Sequence, residues 1–411
     1  MKPLSSTFKI RILQSTFLAF VLLSAIGCAV SGVNTNIFTS GTTPLHPCGI
    51  AVGKLTQANT NALPDGPVAV STYEGDPNLG LVYVWKSCRA FLSSAPITNS
   101  SGKLLNTPTT APDYQITGIT DPEGITFDDK GNLYITATSP TPTVIYYVNM
   151  TDLANAQPDP VTNIPTLTAA TLKTIAISSN PINDPANPND TYGQPRGLTY
   201  NTDDASLYAV MENYKHNGNN KSTVFQITSP TSNTKIYAVG NNLNVGNCLG
   251  IAYSKKHQCF YLTDLEQKLH QLAFPTGTKI NATAGIALQE PVSPIILTGV
   301  YTMDVGVSAD TTTQDSVYFT TTNALAPSGN LSNPNPECFL NSIAYSNWAS
   351  YVNGTQTPLL TPIDAPNFGS SNFVAWGVGV FPYANTANVT SLQGVIVADA
   401  PKNKVVRFIF Q

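Results

Sequence analysis

The sequence predicts an all-β fold, a six-bladed β-propeller with four-stranded antiparallel blades, and three observations support this prediction. Residues 121–148 contain three short segments of alternating apolar residues separated by turn signals, which is the pattern of a β-meander. A glycine followed by an apolar, a small and an apolar residue occurs six times along the chain. Only 11% of the residues are charged, as expected for many short strands joined by turns.

Each of the six glycines is predicted to open the innermost strand of one blade, where a small residue lets neighbouring backbones approach closely. They are Gly49, Gly124, Gly197, Gly250, Gly306 and Gly377. A second strand follows each of them, and four of these strands carry a tyrosine that we interpret as a packing residue. These tyrosines are Tyr134, Tyr208, Tyr261 and Tyr318. The insertions rich in Pro, Asn, Ser and Thr are predicted to be surface loops, at residues 149–173, 180–194, 323–337 and 383–392.

The N-terminal region is predicted to close the ring. The last blade has three strands before the chain reaches Gln411, which would leave an unpaired strand edge. Residues 35–40 precede Gly49 at the spacing at which fourth strands precede the other glycines. We therefore predict that residues 35–40 pair with residues 405–410.

Residues 1–28 have the features of a targeting segment. A basic N-terminus is followed by an apolar run at residues 15–27, which is too short to span a bilayer comfortably. The run ends in Ala-Ile-Gly-Cys28, which resembles a bacterial lipobox, in which the cysteine is lipidated. The sequence thus predicts a signal peptide at residues 1–28 and one propeller domain at residues 29–411. The mature protein would be an outer-membrane lipoprotein held at the membrane only by its lipid, or, if cleaved as an ordinary signal peptide, a soluble periplasmic or secreted protein.

The composition also limits the choice of partners. The net charge of −4 and the pI of about 5.5 provide no basic surface, so a nucleic-acid partner is not expected. A monomer that binds a protein, a glycan or a small molecule is the expectation. Strand direction places Cys248 and Cys338 near the same face of adjacent blades, and we predict a disulfide between them.

We call the face of the ring at which the innermost strands begin the top face. The loops entering these strands carry polar and aromatic residues around the central channel: His46, Asp121, Glu123, Gln194, Arg196, Asn247, Asp304 and Trp376. Glu123, Asn247 and Asp304 are candidate oxygen ligands for Ca²⁺ or another hard cation. Glu123 and Arg196 occupy equivalent positions on adjacent blades, so an ion pair between the two blades is the simpler interpretation.

Two segments resemble NHL-type six-bladed propellers. Tyr-Leu-Thr-Asp264 precedes a third strand at residues 269–274, and Ile-Val-Ala-Asp399 precedes one at residues 404–408. The candidate oxygen ligands add a loose similarity to gluconolactonase-type propellers, although the Glu-X-Pro-X-Trp opening of that family is absent. The resemblance implies an architecture more than an activity, because scaffolds, lactonases and lyases share this fold.

Two functional hypotheses follow from these patterns. The preferred one is a non-enzymatic envelope protein, without a required cofactor, whose top-face loops bind a protein, glycan or small molecule. The low charge, the long polar loops and the absence of a Gly-X-Ser-X-Gly motif favour it. The alternative is a metal-dependent lactonase or esterase at the channel mouth, with Ca²⁺ held by Glu123, Asn247 and Asp304.

Overall fold

The computed structural model is nearly all β. It describes residues 33–36, 46–54, 65–73, 80–88, 91, 112–137, 144–177, 194–216, 219–240, 243, 245, 247–276, 278, 284–308, 315–322, 338–363, 375–383, 392–399 and 404–410. The predicted signal peptide and Cys28 lie outside these residues. Within the described part of the chain, no helix has the length and apolar character that crossing a bilayer requires.

The strands form six sheets, which we number as blades 1 to 6 from the blade that contains His46. The first half of the chain contains β1 (Val33–Asn36), β2 (His46–Val52), β3 (Val68–Tyr73), β4 (Leu81–Trp85), β5 (Tyr114–Thr117), β6 (Pro122–Phe127), β7 (Leu133–Ala137), β8 (Val144–Val148), α1 (Met150–Ala154), β9 (Gln157–Pro158), β10 (Pro165–Thr168), β11 (Lys173–Ala176), β12 (Gln194–Asn201), β13 (Ser206–His216) and β14 (Asn219–Thr228). The second half contains β15 (Lys235–Ala238), β16 (Cys248–Ser254), β17 (Cys259–Asp264), β18 (Lys268–Ala273), β19 (Ile295–Ile296), β20 (Tyr301–Val307), β21 (Ser316–Thr322), β22 (Cys338–Ala344), α2 (Trp348–Val352), β23 (Leu359–Ile363), β24 (Ala375–Tyr383), β25 (Leu392–Asp399) and β26 (Lys404–Phe410).

The six sheets are arranged in a closed ring. The innermost strands β2, β6, β12, β16, β20 and β24 each contact the next one, and β24 contacts β2. This confirms the predicted β-propeller. Five sheets have four antiparallel strands, in the orders β6–β7–β8–β11, β12–β13–β14–β15, β16–β17–β18–β19, β20–β21–β22–β23 and β24–β25–β26–β1.

Blade 1 departs from the predicted four strands, because its sheet has the order β2–β3–β4–β5–β10–β9. Strand β10 comes from the insertion after β8 and pairs in parallel with β5. This insertion was expected to be only a surface loop. It instead supplies hydrogen-bonding partners to the backbone of β5, which would otherwise form an open sheet edge.

The ring is closed by the N-terminal strand. Strand β1 pairs antiparallel with β26, with Val33 opposite Arg407 and Asn36 opposite Lys404. The closure is therefore confirmed, although the paired residues begin two positions before the predicted residues 35–40. Residues 37–40 lie outside the described part of the chain.

Every innermost strand carries a β-bulge at the same level of the ring. The bulges lie between Pro47 and Ile50, Pro122 and Ile125, Pro195 and Leu198, Cys248 and Ile251, Thr302 and Val305, and Ala375 and Val378. In five blades the second bulge residue is a glycine. A Cβ on Gly49 or Gly124 would collide with the carbonyl oxygen of the next blade. In blade 5 this position is Asp304, so Gly306 is not the equivalent glycine that the sequence pattern predicted.

The hydrophobic core lies between neighbouring blades. The four predicted packing tyrosines of the second strands are at most 1% exposed and are among the largest fully buried side chains. The predicted disulfide is wrong: the thiols of Cys248 and Cys338 are buried but not bonded to each other. Cys248 packs in the core between blades 3 and 4, whereas Cys338 packs in the core between blades 5 and 6. Strand direction predicted their height in the ring but not the side of the blade to which each points.

Candidate functional site

The candidate site is the central channel, a cavity of about 210 Å³ lined by the six innermost strands. Both faces of each blade pack against neighbouring blades, so the inner edge of each strand presents mainly backbone to the channel. Among the described residues, the charged side chains of the lining are Glu123, Arg196 and Asp304. The cavity is smaller than a typical pocket for a drug-sized ligand.

Glu123 and Arg196 join blades 2 and 3. The Arg196 guanidinium donates a hydrogen bond to Glu123 Oε1, and the two side chains are only 19% and 11% exposed, respectively. This confirms the inter-blade ion pair. The pair neutralises the two charges within the channel, and one carboxylate oxygen of the proposed metal ligand Glu123 is occupied by the guanidinium.

Asp304 joins blades 5 and 6. Its Oδ2 accepts a hydrogen bond of 2.9 Å from the backbone N–H of Val378. Burial raises the pKa of Asp304 to about 7, although hydrogen bonds from the Val378 and Val305 N–H groups act in the opposite direction. Asp304 lines the channel and is half-buried, and with this pKa its carboxyl group is only partly ionised at neutral pH.

Hydroxyl groups of the second strands connect further blades, and sequence reasoning missed them. Thr136 Oγ1 accepts the Gly124 N–H at 2.8 Å and donates to the Arg196 carbonyl at 2.8 Å. Ser71 forms the same bridge from blade 1 to blade 2, and Thr263 forms it from blade 4 to blade 5. The usable signal was a Ser or Thr opposite the glycine bulge. Most polar groups at this level of the channel are therefore engaged in holding the ring together.

Within the described part of the chain, the remaining predicted site residues do not converge on one point. Asn247 is not among the described residues that line the cavity, and its carbonyl accepts the Leu265 N–H at 2.9 Å. Asp121 precedes β6 with a φ of 49° and is also outside the lining. The backbones of the residues at positions 46, 194 and 376 lie in β2, β12 and β24, and their side chains are outside the description.

Glu123 and Asp304 lie on blades 2 and 5, which are opposite each other in a ring of six. The described residues contain no cluster of three His, Cys, Asp or Glu side chains suited to a metal ion. The carboxylates that the sequence suggested as partners in one cation site thus belong to opposite walls of the channel. Each of them is hydrogen-bonded to a group of its neighbouring blade.

A second charged cluster lies in blade 4, outside the channel. His270 is 1% exposed, and its two ring nitrogens lie 2.8 Å from Asp264 Oδ2 and 2.8 Å from Glu290 Oε1. Burial alone would lower the pKa of His270, but the two carboxylates outweigh it and raise the pKa to about 9. Asp264 also accepts backbone N–H bonds in its own turn, from Glu266 and Lys268.

Comparisons with known proteins provide no family assignment. No protein-family model matches the chain, and no curated protein sequence is significantly similar to it. Among solved structures, a gluconolactonase from Xanthomonas campestris has 8% identity and a TM-score of 0.41, over 91% of this chain and 99% of that one. The WD40 β-propeller domain of Doa1 has 8% identity and a TM-score of 0.43, over 92% and 97% of the two chains.

A protein of unknown function from Bacteroides thetaiotaomicron has 10% identity and a TM-score of 0.43, over 93% of this chain and 76% of that one. At such low identities and TM-scores, no activity, substrate or partner is transferred from these three proteins. The functional argument therefore depends on the geometry of the channel and of the outer surfaces.

Proposed function

We propose that this chain is an exported, lipid-anchored β-propeller of the bacterial envelope that binds a protein or glycan on its top face. One observation carries this proposal: the charged groups of the channel connect neighbouring blades. Glu123 pairs with Arg196 across blades 2 and 3, and Asp304 binds the Val378 N–H across blades 5 and 6. Recognition is then assigned to the loops of the top face, which a rigid ring can present without contributing to its own closure. The lipid anchor is supported by the sequence of residues 1–28.

One observation favours the alternative, a metal-dependent lactonase or esterase. Asp304 carries a carboxyl group inside the channel with its pKa raised to about 7, which suits proton transfer near neutral pH. The binding function is preferred because the same carboxyl group accepts a backbone N–H of the adjacent blade. This contact between blades accounts for the Asp304 carboxyl group in the channel without requiring a substrate.

The top-face proposal can be tested with a matched pair of positions in one blade. Glu266 lies in the top-face turn between β17 and β18, and its side chain is 58% exposed. Lys255 lies at the opposite end of the same blade, between β16 and β17, and its side chain is 57% exposed. A photo-crosslinking amino acid at position 266 should yield a defined adduct in intact cells, whereas the same amino acid at position 255 should not. Equal labelling from both positions, or none from either, would contradict top-face binding.

The anchor is tested separately by Cys28→Ser. This substitution should move the protein from the membrane fraction to the soluble fraction, because the covalent lipid would be its main attachment. Mass spectrometry of the native protein should show a lipid on residue 28. An unmodified mature chain that begins after residue 28 would contradict the anchor and leave the top-face test unaffected.

A further inference from the structure

The outer rim of blades 4 and 5 exposes apolar side chains. Five large apolar residues are exposed in the described part of the chain, and four of them lie on this rim: Val292 (39%), Ile296 (67%), Leu359 (46%) and Leu360 (55%). Ile296 belongs to β19, and both leucines belong to β23. These are the outermost strands of two adjacent blades, so the exposed residues share one side of the ring.

The outermost strands of this rim carry no charged side chain. Residues 291–300 and 338–363 contain no Asp, Glu, Lys, Arg or His, and they include β19 and β23, the outermost strands of blades 4 and 5. The outermost strands of blades 2 and 3 differ, because each begins with an exposed lysine, Lys173 and Lys235. Lys268 of β18 lies opposite Ile296, is 26% exposed and is paired with Glu266, so the outermost strands themselves bring no charged group into an apolar phase.

The rim is part of the rigid ring. Trp348 of α2 donates its indole N–H to the Ser293 carbonyl at 3.2 Å and so connects blade 5 to blade 4. Ile295, Leu297 and Trp348 are buried in one core between these blades. Ile296 therefore projects outward from a strand whose neighbours are fixed in the core.

The predicted lipid would be attached next to this rim. Strand β1 is the outermost strand of blade 6, which is adjacent to blade 5 in the ring. Cys28 precedes Val33 by five residues, which span at most about 18 Å when fully extended. The lipid and the rim thus belong to the outer side of three consecutive blades.

We propose that the rim of blades 4 and 5 rests on the lipid surface to which Cys28 anchors the protein, so that the exposed apolar side chains enter the headgroup boundary. This inference rests on the lipid anchor of the proposed function. Interfacial binding scales with buried apolar area, and a second contact beside a single lipid strengthens attachment. An additional protein strand on β23 is disfavoured, because Pro362 within this strand offers no backbone N–H.

The test fixes the tether chemically, so that it does not depend on lipidation in the cell. The purified chain beginning at Cys28 is coupled through its thiol to a maleimide phospholipid in vesicles of phosphatidylethanolamine and phosphatidylglycerol. The five cysteines of the domain are buried and should not compete for the reagent. The tryptophan fluorescence of Leu360→Trp is then measured in vesicles with and without brominated acyl chains. The fluorescence of the protein without this substitution is subtracted.

Val161→Trp is the matched control. Val161 is 90% exposed but lies in the insertion that extends blade 1, and blade 1 is as close to blade 6 as blade 5 is. If only the tether held the protein near the vesicle, tryptophans at positions 161 and 360 would be quenched to the same extent. We expect the added tryptophan at position 360 to lose about half of its emission to the brominated chains, and the one at position 161 to lose none. Equal quenching at both positions, or quenching at neither, would overturn the proposal.

Discussion

Replacing Asp304 by Asn should stabilise the protein at alkaline pH. The amide oxygen can still accept the Val378 N–H, while the substitution removes a carboxylate that burial makes costly to ionise. The folded-state pKa of about 7 lies above the ordinary value of 3.8, so the folded protein retains a proton that the unfolded chain releases. The wild-type protein should therefore lose stability as the pH rises from about 4 to about 7, and the full cost should persist above that range.

The size of the effect follows from the same pKa. The folded-state pKa lies about three pH units above the ordinary value, which corresponds to roughly 4 kcal/mol in the free energy of unfolding. Because Asp304 lines the channel and is only half-buried, we take half of this value, about 2 kcal/mol, as the expected gain for Asp304→Asn at pH 8.5. At pH 3 the carboxyl group is largely protonated in both states, and the gain should be close to zero.

Urea unfolding of wild type and variant at both pH values measures this difference. Asp159→Asn is the control, because Asp159 is in an exposed turn where backbone N–H groups of Thr162 and Val161 lower the pKa of its carboxyl group. The control substitution should give no gain at alkaline pH. A difference in unfolding free energy between wild type and Asp304→Asn that does not change with pH would refute the reasoning. So would a variant that is less stable than wild type at pH 8.5.

Three further predictions concern contacts within and between the blades. The contribution of His270 should be complete below pH 6.5 and lost as the pH rises through about 9, so urea midpoints should fall in that window for wild type but not for His270→Gln. A pH response shared by both proteins would contradict this assignment. Deleting residues 29–36 should lower the melting temperature in calorimetry, because β26 loses its partner, whereas deleting residues 29–32 should not; equal melts would argue against ring closure by β1. Thr136→Val should cost about 1–3 kcal/mol in urea unfolding by leaving a partly buried N–H and a carbonyl without their partner, and Thr136→Ser should restore most of it. Equal stability of the Val and Ser variants would show that the hydroxyl bridge is unimportant.

The repeated architecture could be predicted from the sequence because it leaves a local pattern. Close approach of the innermost strands requires a residue without a side chain at the bulge, and five of six blades meet this requirement with glycine. The exception shows the limit of the pattern. Gly306 lies two positions after the bulge and satisfied the search, while the true equivalent, Asp304, carries a side chain that reaches the next blade.

Features that depend on which neighbour a segment meets could not be predicted. Strand β9 is exposed and β10 is short and half-buried, so neither shows an alternation of apolar and polar residues, and the pairing of β10 with β5 is set by tertiary contact. The side of the blade to which Cys248 and Cys338 point could not be predicted either, because it also depends on which neighbouring blade each residue meets. By contrast, the pair of Glu123 and Arg196 was predictable, because equivalent positions on adjacent blades must lie close together.

The claim that the channel charges hold the ring together is tested most directly by calorimetric titration of Ca²⁺, Mg²⁺ and Zn²⁺ into wild type and Glu123→Gln. We predict no saturable heat and no ion-dependent rise in melting temperature for either protein, together with a lower melting temperature for Glu123→Gln because its ion pair with Arg196 is broken. A metal site would instead stabilise the wild type by about 2.7 kcal/mol at a hundredfold excess of ion over the dissociation constant. Saturable heat in wild type that Glu123→Gln abolishes would contradict the account and favour the hydrolase.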